Sequence, residues 1–145
     1  MSALSNIARS PAIAVPRDAT VLDAVHSMLK HRIGAVLVLE SDRPEGIFTA
    51  HDLLLKVVPE SRDPKTTPLS AVMSSPVATV RSDATAPLAL REMVKRGIQH
   101  LPVVDDAGRV VGMLSMRHLL RDRIDGLKGE LGALANYAGA DGIGG

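Results

Sequence analysis

Two heptapeptides concentrate the polar chemistry of this chain. Residues 46 to 52 read GIFTAHD and residues 112 to 118 read GMLSMRH. Each runs glycine, two apolar residues, a hydroxyl residue, two variable positions and a polar residue, which is Asp52 in the first copy and His118 in the second. A threonine followed three residues later by an aspartate, directly after a strand, is the pattern of a helix N-cap. Motifs of catalysis are missing: there is no GxSxG, no Walker lysine loop, no GxGxxG and no HExxH. The chain has no cysteine, which excludes disulfides, thiolate nucleophiles and zinc–thiolate sites. Of the five histidines, His26 and His31 are five apart and do not stack on one helix face, while His51, His100 and His118 are scattered. No metal site is expected from them, and Asp105 and Asp106 read as a hairpin turn.

The bulk composition narrows the class. At 145 residues and 15.3 kDa, with 46 % apolar and 23 % charged residues, the chain fits one compact domain or two small halves sharing a core. A net charge of +1 gives no reason to expect nucleic acid or an anionic membrane as partner. No stretch approaches the roughly 20 apolar residues of a membrane span, and MSALSNIARSPAIAV lacks a basic region followed by an apolar run. A cytoplasmic protein is expected. Phe48 and Tyr137 are the only aromatic residues, so the core must be aliphatic. A nucleobase held here could not be sandwiched between aromatic rings.

The chain is an internal duplication. Shifted by 65, PAIAVPRDATVLDAVHSMLKHRI (11–33) falls on PVATVRSDATAPLALREMVKRGI (76–98), with identities that include Pro11 with Pro76, Asp18 with Asp83, Thr20 with Thr85 and Met28 with Met93. A one-residue insertion near Gly108 then shifts the offset to 66, pairing Gly46 with Gly112 and Leu53 with Leu119.

Each unit reads in the same order. A β-rich segment (13–15; 77–80) precedes Asp-Ala-Thr. Thr20 and Thr85 are then helix N-caps, Thr20 forming a capping box with Asp23, and Pro87 falls in a first helical turn. Apolar residues at 21, 24, 25, 28 and 29, and at 86, 89, 90, 93 and 94, predict helices with one buried stripe. Lys30, His31 and Arg32, like Lys95 and Arg96, end these helices, where cations suit the dipole; a phosphate-binding patch is the alternative reading of the same charges. The runs 35–39 and 101–104 predict buried strands, each returning through a turn as a second strand. Short helices follow at 53–57 and from 119. Residues 58–68 are a polar, proline-rich linker, and LSAVMSS (69–75) predicts a single helical turn. The expectation is an α/β (α+β) protein of two tandem β-α-β-β-α repeats packed with pseudo-twofold symmetry. The repeats span 5–58 and 69–125, joined by linker 59–68 and followed by a C-terminal helix and disordered tail over 126–145. Leu120, Ile124, Leu127, Leu131 and Leu134 alternate spacings of four and three, a short coiled-coil seam that suggests a dimer contact.

The doubled pattern, the IQHLPVVDDAGRVVGMLS stretch (98–115) and GIFTAHD together resemble the CBS domain, named for cystathionine β-synthase, which occurs in tandem pairs called Bateman modules. The resemblance covers about residues 5 to 125. It implies an adenosine nucleotide in the cleft between repeats. On that reading Thr49 and the helix start face a phosphate, Asp52 accepts hydrogen bonds from the ribose hydroxyls, and Gly46 lets the backbone come close. Ile13, Ile33 and Ala35 wall the adenine, with Gln99 and His100 of the other repeat near the phosphate. Ala78, Ile98, Ser115, Arg117 and His118 form a weaker second site, because an imidazole cannot accept two ribose hydroxyls as a carboxylate can. One competent nucleotide site per chain is expected.

The function expected from this resemblance is a regulatory sensor module in a homodimer. It would bind AMP, ADP, ATP, NAD or S-adenosylmethionine as a regulatory ligand, without catalytic cofactor or catalysis. A downstream regulated protein would read the ligand-dependent change. The alternative is a ligand-free structural or interaction scaffold.

Overall fold

The computed structural model describes residues 4–137, with side chains to residue 134. In the first half, α1 (Leu4–Ile7), β1 (Ala14–Val15), α2 (Val21–His31), β2 (Ala35–Glu40), β3 (Arg43–Thr49) and α3 (Ala50–Asp52) follow one another. Helix α3 runs on through a wider turn, Leu53–Val57, closed by Val58 N–H donating to the Leu53 carbonyl at 3.1 Å. A 3-10 turn at Leu69–Ala71 opens the second half, followed by β4 (Val80–Arg81), α4 (Ala86–Arg96), β5 (His100–Val104), β6 (Val110–Ser115) and α5 (Met116–Tyr137). Two three-stranded sheets result, ordered β1-β2-β3 and β4-β5-β6, each with a parallel first pair and an antiparallel hairpin.

The local signals act as expected. Thr20 caps α2 in a reciprocal box with Asp23, and Thr85 caps α4 with Pro87 in the first turn. The edges are narrower than the sequence suggests. Strand β4 pairs only through Val80 and Arg81, because Val77 instead packs into the layer between the repeats. Helix α3 begins three residues before the predicted Leu53, since the Thr49 cap starts it at once. The predicted tail from residue 138 onward lies outside the described residues.

The alternation of β2 explains why its run is apolar throughout. Val36 and Val38 face α2 and Phe48, whereas Ala35 and Leu37 face Met113 in the inter-repeat layer. In β5, Leu101 and Val103 face α4 in the same way, which turns His100 to the opposite side.

The segments that lead into each repeat are exchanged. Leu4 is fully buried in the second core with Leu101, Leu114 and Leu119, and Arg9 pairs with Met113 of β6. Correspondingly, Leu69 and Val72 lie in the first core with Phe48 and Val57, and Ser74 pairs with Ile47 of β3. The linker is stitched to the start of α2, Val21 and Leu22 N–H donating to the Thr67 and Pro64 carbonyls at 3.0 and 2.9 Å.

Removing a buried leucine side chain destabilises by about 2–5 kcal/mol. Leu4→Ala and Leu69→Ala should therefore each lower unfolding free energy by that amount in urea titrations, although both lie outside the repeats' sheets and long helices. An unchanged midpoint for Leu4→Ala would show that α1 is not part of the second core.

Candidate functional site

A cavity of about 270 Å³ opens between the two repeats. Its apolar wall comes from Ile13, Ile33 and Ala35 of the first repeat and Met113 and Met116 of the second. Its polar groups are Gln99, His100, Ser115 and His118, with Arg9, Arg32 and Arg117 completing the lining. The three arginines are exposed, so they sit at the mouth. Among the described residues, no carboxylate lines this cavity.

The second heptapeptide positions the polar end. Strand β6 ends at Ser115 and α5 starts at Met116. The Ser115 hydroxyl accepts the His118 N–H at 3.1 Å, and His118 Nδ1 accepts the Ser115 N–H at 3.2 Å. This is a capping box in which an imidazole replaces the usual carboxylate. Accepting that bond requires the neutral ring with its proton on Nε2, so the remaining nitrogen is a donor. Burial lowers the His118 pKa, and the Arg117, Arg121 and Arg9 guanidiniums lower it further. Burial also lowers that of His100, with a smaller contribution from His118. Gly34 packs on the His100 ring, where a Cβ would lie 3.2 Å from Cε1.

Arg32 occupies an unusual backbone position. It caps the C-terminus of α2 at φ 53°, the left-handed region, where α4 uses Gly97 at φ 65°. A non-glycine residue there costs about 1 kcal/mol or more.

The first heptapeptide has the same cap and different surroundings. Asp52 Oδ2 accepts the Thr49 N–H at 3.0 Å and the Thr49 hydroxyl at 3.2 Å. The other oxygen, Oδ1, pairs with Lys56 Nζ at 3.3 Å. Lys56 also donates to the Val72 carbonyl at 3.2 Å and the Ser74 hydroxyl at 3.1 Å. Asp52 is buried, and Met73 packs over Gly46, where an added Cβ would meet its side chain at 2.7 Å from Cε.

The structure therefore regroups the residues expected from sequence. Ile13, Ile33, Ala35, Gln99 and His100 do share a cavity, but with Ser115, Arg117 and His118 rather than with Gly46, Thr49 and Asp52. Ala78 and Ile98, expected beside Ser115, pack against the second repeat's core instead. The cause is the exchange of lead segments. The Arg9–Met113 pairing carries the chain from Arg9 to Ile13 past the second heptapeptide, and strand alternation turns Ala35 toward Met113.

Sequence reasoning missed Arg9, Gly34, Met113 and Met116 in this lining, and took Arg32 first as a helix-end cation and only second as part of a phosphate-binding patch. A signal was available for the two arginines. Arg9 and Arg32 stand where the other repeat has Ser74 and Gly97, just as His118 stands for Asp52. These three charge differences between the copies converge on one cavity.

Comparisons with known proteins agree with this architecture. The CBS domain family model matches residues 4–59 and 69–125. An uncharacterized protein of Methanopyrus kandleri is 35 % identical over 119 residues, which cover 81 % of this chain and 61 % of that protein. The mitochondrial CBS domain-containing protein CBSX3 of Arabidopsis thaliana is 32 % identical over 125 residues, 83 % of this chain and 60 % of that one. The chain thus spans about six tenths of these two curated relatives. Among solved structures, a CBS domain protein from Pyrobaculum aerophilum complexed with AMP superposes with TM-score 0.73 at 26 % identity, covering 81 % of this chain and 89 % of that one. A CBS domain protein of unknown function from Thermoplasma acidophilum gives TM-score 0.77 at 26 % identity, covering 83 % and 68 % respectively. With both repeats matched and the doubled β-α-β-β-α architecture in place, the chain belongs to the CBS domain family.

Proposed function

We propose that the chain is a regulatory module that binds an adenosine-containing small molecule in the cavity lined by Ile33, Ala35, Ser115 and His118. The observation that carries this reading is the composition of that cavity. One repeat supplies an aliphatic slot for a flat apolar base, and the mouth supplies guanidiniums and the start of α5 for an anion. The AMP complex of the Pyrobaculum aerophilum protein supports the ligand class.

A ligand in this cavity touches both repeats, so it favours whichever arrangement of repeats brings its two walls together. That differential affinity is the proposed signal, read by a regulated protein. Pairing of two chains is part of the reading. Leu29, Leu54, Leu55, Val58 and Val94 are exposed, as is the whole Leu120, Ile124, Leu127, Leu131 and Leu134 stripe of α5. Surfaces of this kind are normally covered by a partner, and a second copy of the chain is the partner proposed. The reading assigns no chemistry to the bound molecule.

Saturating ligand at a hundred times its dissociation constant stabilises a protein by about 2.7 kcal/mol. Millimolar AMP, ATP, NAD and S-adenosylmethionine should be compared by thermal unfolding, and at least one should raise the midpoint by several degrees. Asp52→Ala should lower the unliganded midpoint, by about 1–2 kcal/mol for its cap and half-exposed lysine partner, yet keep the ligand-induced rise. Arg117→Gln should diminish the rise. A rise abolished by Asp52→Ala would move the site to the first heptapeptide, and no rise with any compound would favour the scaffold.

The two histidines add a pH dependence. Their folded-state pKa values lie below the unfolded value near 6.5, so the unfolded chain binds more protons below that pH. Their unfavourable linkage is absent well above pH 6.5 and grows as pH falls through it. The unliganded midpoint should drop between pH 7.5 and 5.5, and His118→Asn should flatten part of that drop. Equal slopes for the two proteins would remove His118 from the account.

A further inference from the structure

We infer that the cavity selects its ligand by phosphate and not by sugar, so that affinity rises with each phosphate on the nucleotide while ribose and 2′-deoxyribose are accepted alike. This rests on the nucleotide reading above and adds what the site discriminates.

Ribose hydroxyls are held firmly by paired hydrogen-bond acceptors, above all a carboxylate. Among the described residues the cavity lining has no carboxylate. Arg9, Arg32 and Arg117 only donate. His118 commits its one lone pair to the Ser115 N–H, and its free nitrogen presents a proton. Ser115 already accepts the His118 N–H and keeps its hydroxyl proton to give. Its second lone pair, the Gln99 amide oxygen and one ring nitrogen of His100 are the side-chain acceptors left on the lining, all neutral and none a carboxylate. The charged groups of the lining thus all donate to oxygens, as phosphate requires, while the sugar meets only single neutral acceptors in place of a paired carboxylate.

The backbone at Arg32 points the same way. Arg32 stays in a left-handed conformation that its counterpart Gly97 fills without strain. A strained residue persists where its side chain serves some other end. Here the arginine places a guanidinium on the cavity lining, and a glycine would not.

Calorimetric titration of the full chain with adenosine, AMP, ADP, ATP and 2′-deoxy-ATP at fixed ionic strength tests this. Each additional charge-assisted hydrogen bond should tighten binding about tenfold, giving ATP over ADP over AMP over adenosine. ATP and 2′-deoxy-ATP should agree within about twofold. Arg32→Gly should raise the unliganded unfolding midpoint by about 2–4 °C and weaken ATP about tenfold, with the ribose-to-deoxyribose ratio unchanged. His118→Asp keeps a capping side chain of the kind Asp52 provides, and should weaken ATP while creating a preference for the ribonucleotide. A wild-type preference of tenfold or more for ribose would overturn the inference, as would adenosine binding as tightly as ATP, while leaving the nucleotide site standing. An Arg32→Gly protein with unaltered ATP affinity would overturn it too. If none of the five compounds binds, the nucleotide reading itself fails and this inference goes with it.

Discussion

The exchange of lead segments is the constraint on which the rest of the molecule depends. Each sheet has a hairpin edge that a three-stranded unit leaves open, and each core lacks apolar residues that its own repeat does not supply. Residues 4–9 complete the second repeat and residues 69–74 complete the first. Gly112 permits the close approach, since a Cβ there would lie 3.0 Å from the Arg9 carbonyl. With Arg9 fixed in that pairing, Ile13 must pass the second heptapeptide, and the cavity acquires walls from both halves.

Most of the fold was legible in the sequence because its signals are local. Capping threonines, helical stripes, hairpin turns and the repeat itself are read within a few residues or by sliding the chain along itself. Most of the lining residues were read as site residues too, but which heptapeptide they join was not legible, for the opposite reason. Nothing within residues 9–13 says that they run beside residues 112–118, because that pairing closes over a hundred residues and is fixed by Leu4 in the second core and by the Arg9–Met113 bridge. The sequence reading set Ile13, Ile33, Ala35, Gln99 and His100 beside the first heptapeptide, whereas this cavity sets them beside the second and does not include Ala78, Ile98, Gly46, Thr49 or Asp52. What could have been seen is the asymmetry between copies. Ser74, Gly97 and Asp52 are exchanged for Arg9, Arg32 and His118, three changes that each remove an acceptor or add a donor.

The two heptapeptides therefore share a structural duty and differ in what is left over. Thr49 with Asp52 and Ser115 with His118 both close a capping box at a strand-to-helix turn. In the first copy the carboxylate has a further oxygen, and Lys56 takes it while reaching the Val72 carbonyl. The chain thereby uses its only buried carboxylate among the described residues to tie the segment after the linker onto α3. In the second copy the imidazole has a proton left to give, and it lies in an open cavity. The cap is retained through either substitution because the helix start needs it. The side chain beyond the cap is free to diverge.

The exchanged segments also dictate an order of assembly during synthesis. The first sheet and α2 are translated early, but their core includes Leu69 and Val72, so it stays incomplete until those residues have left the ribosome. Leu4 is translated long before its partners and must wait for Leu114 and Leu119. The segment bearing Leu4 thus stays unsatisfied while the residues up to Leu119 are made, and the second half closes well after the first. A nascent neighbour on the same message offers the same docking surfaces, and two chains trading these segments would form an intertwined pair with every core contact intact.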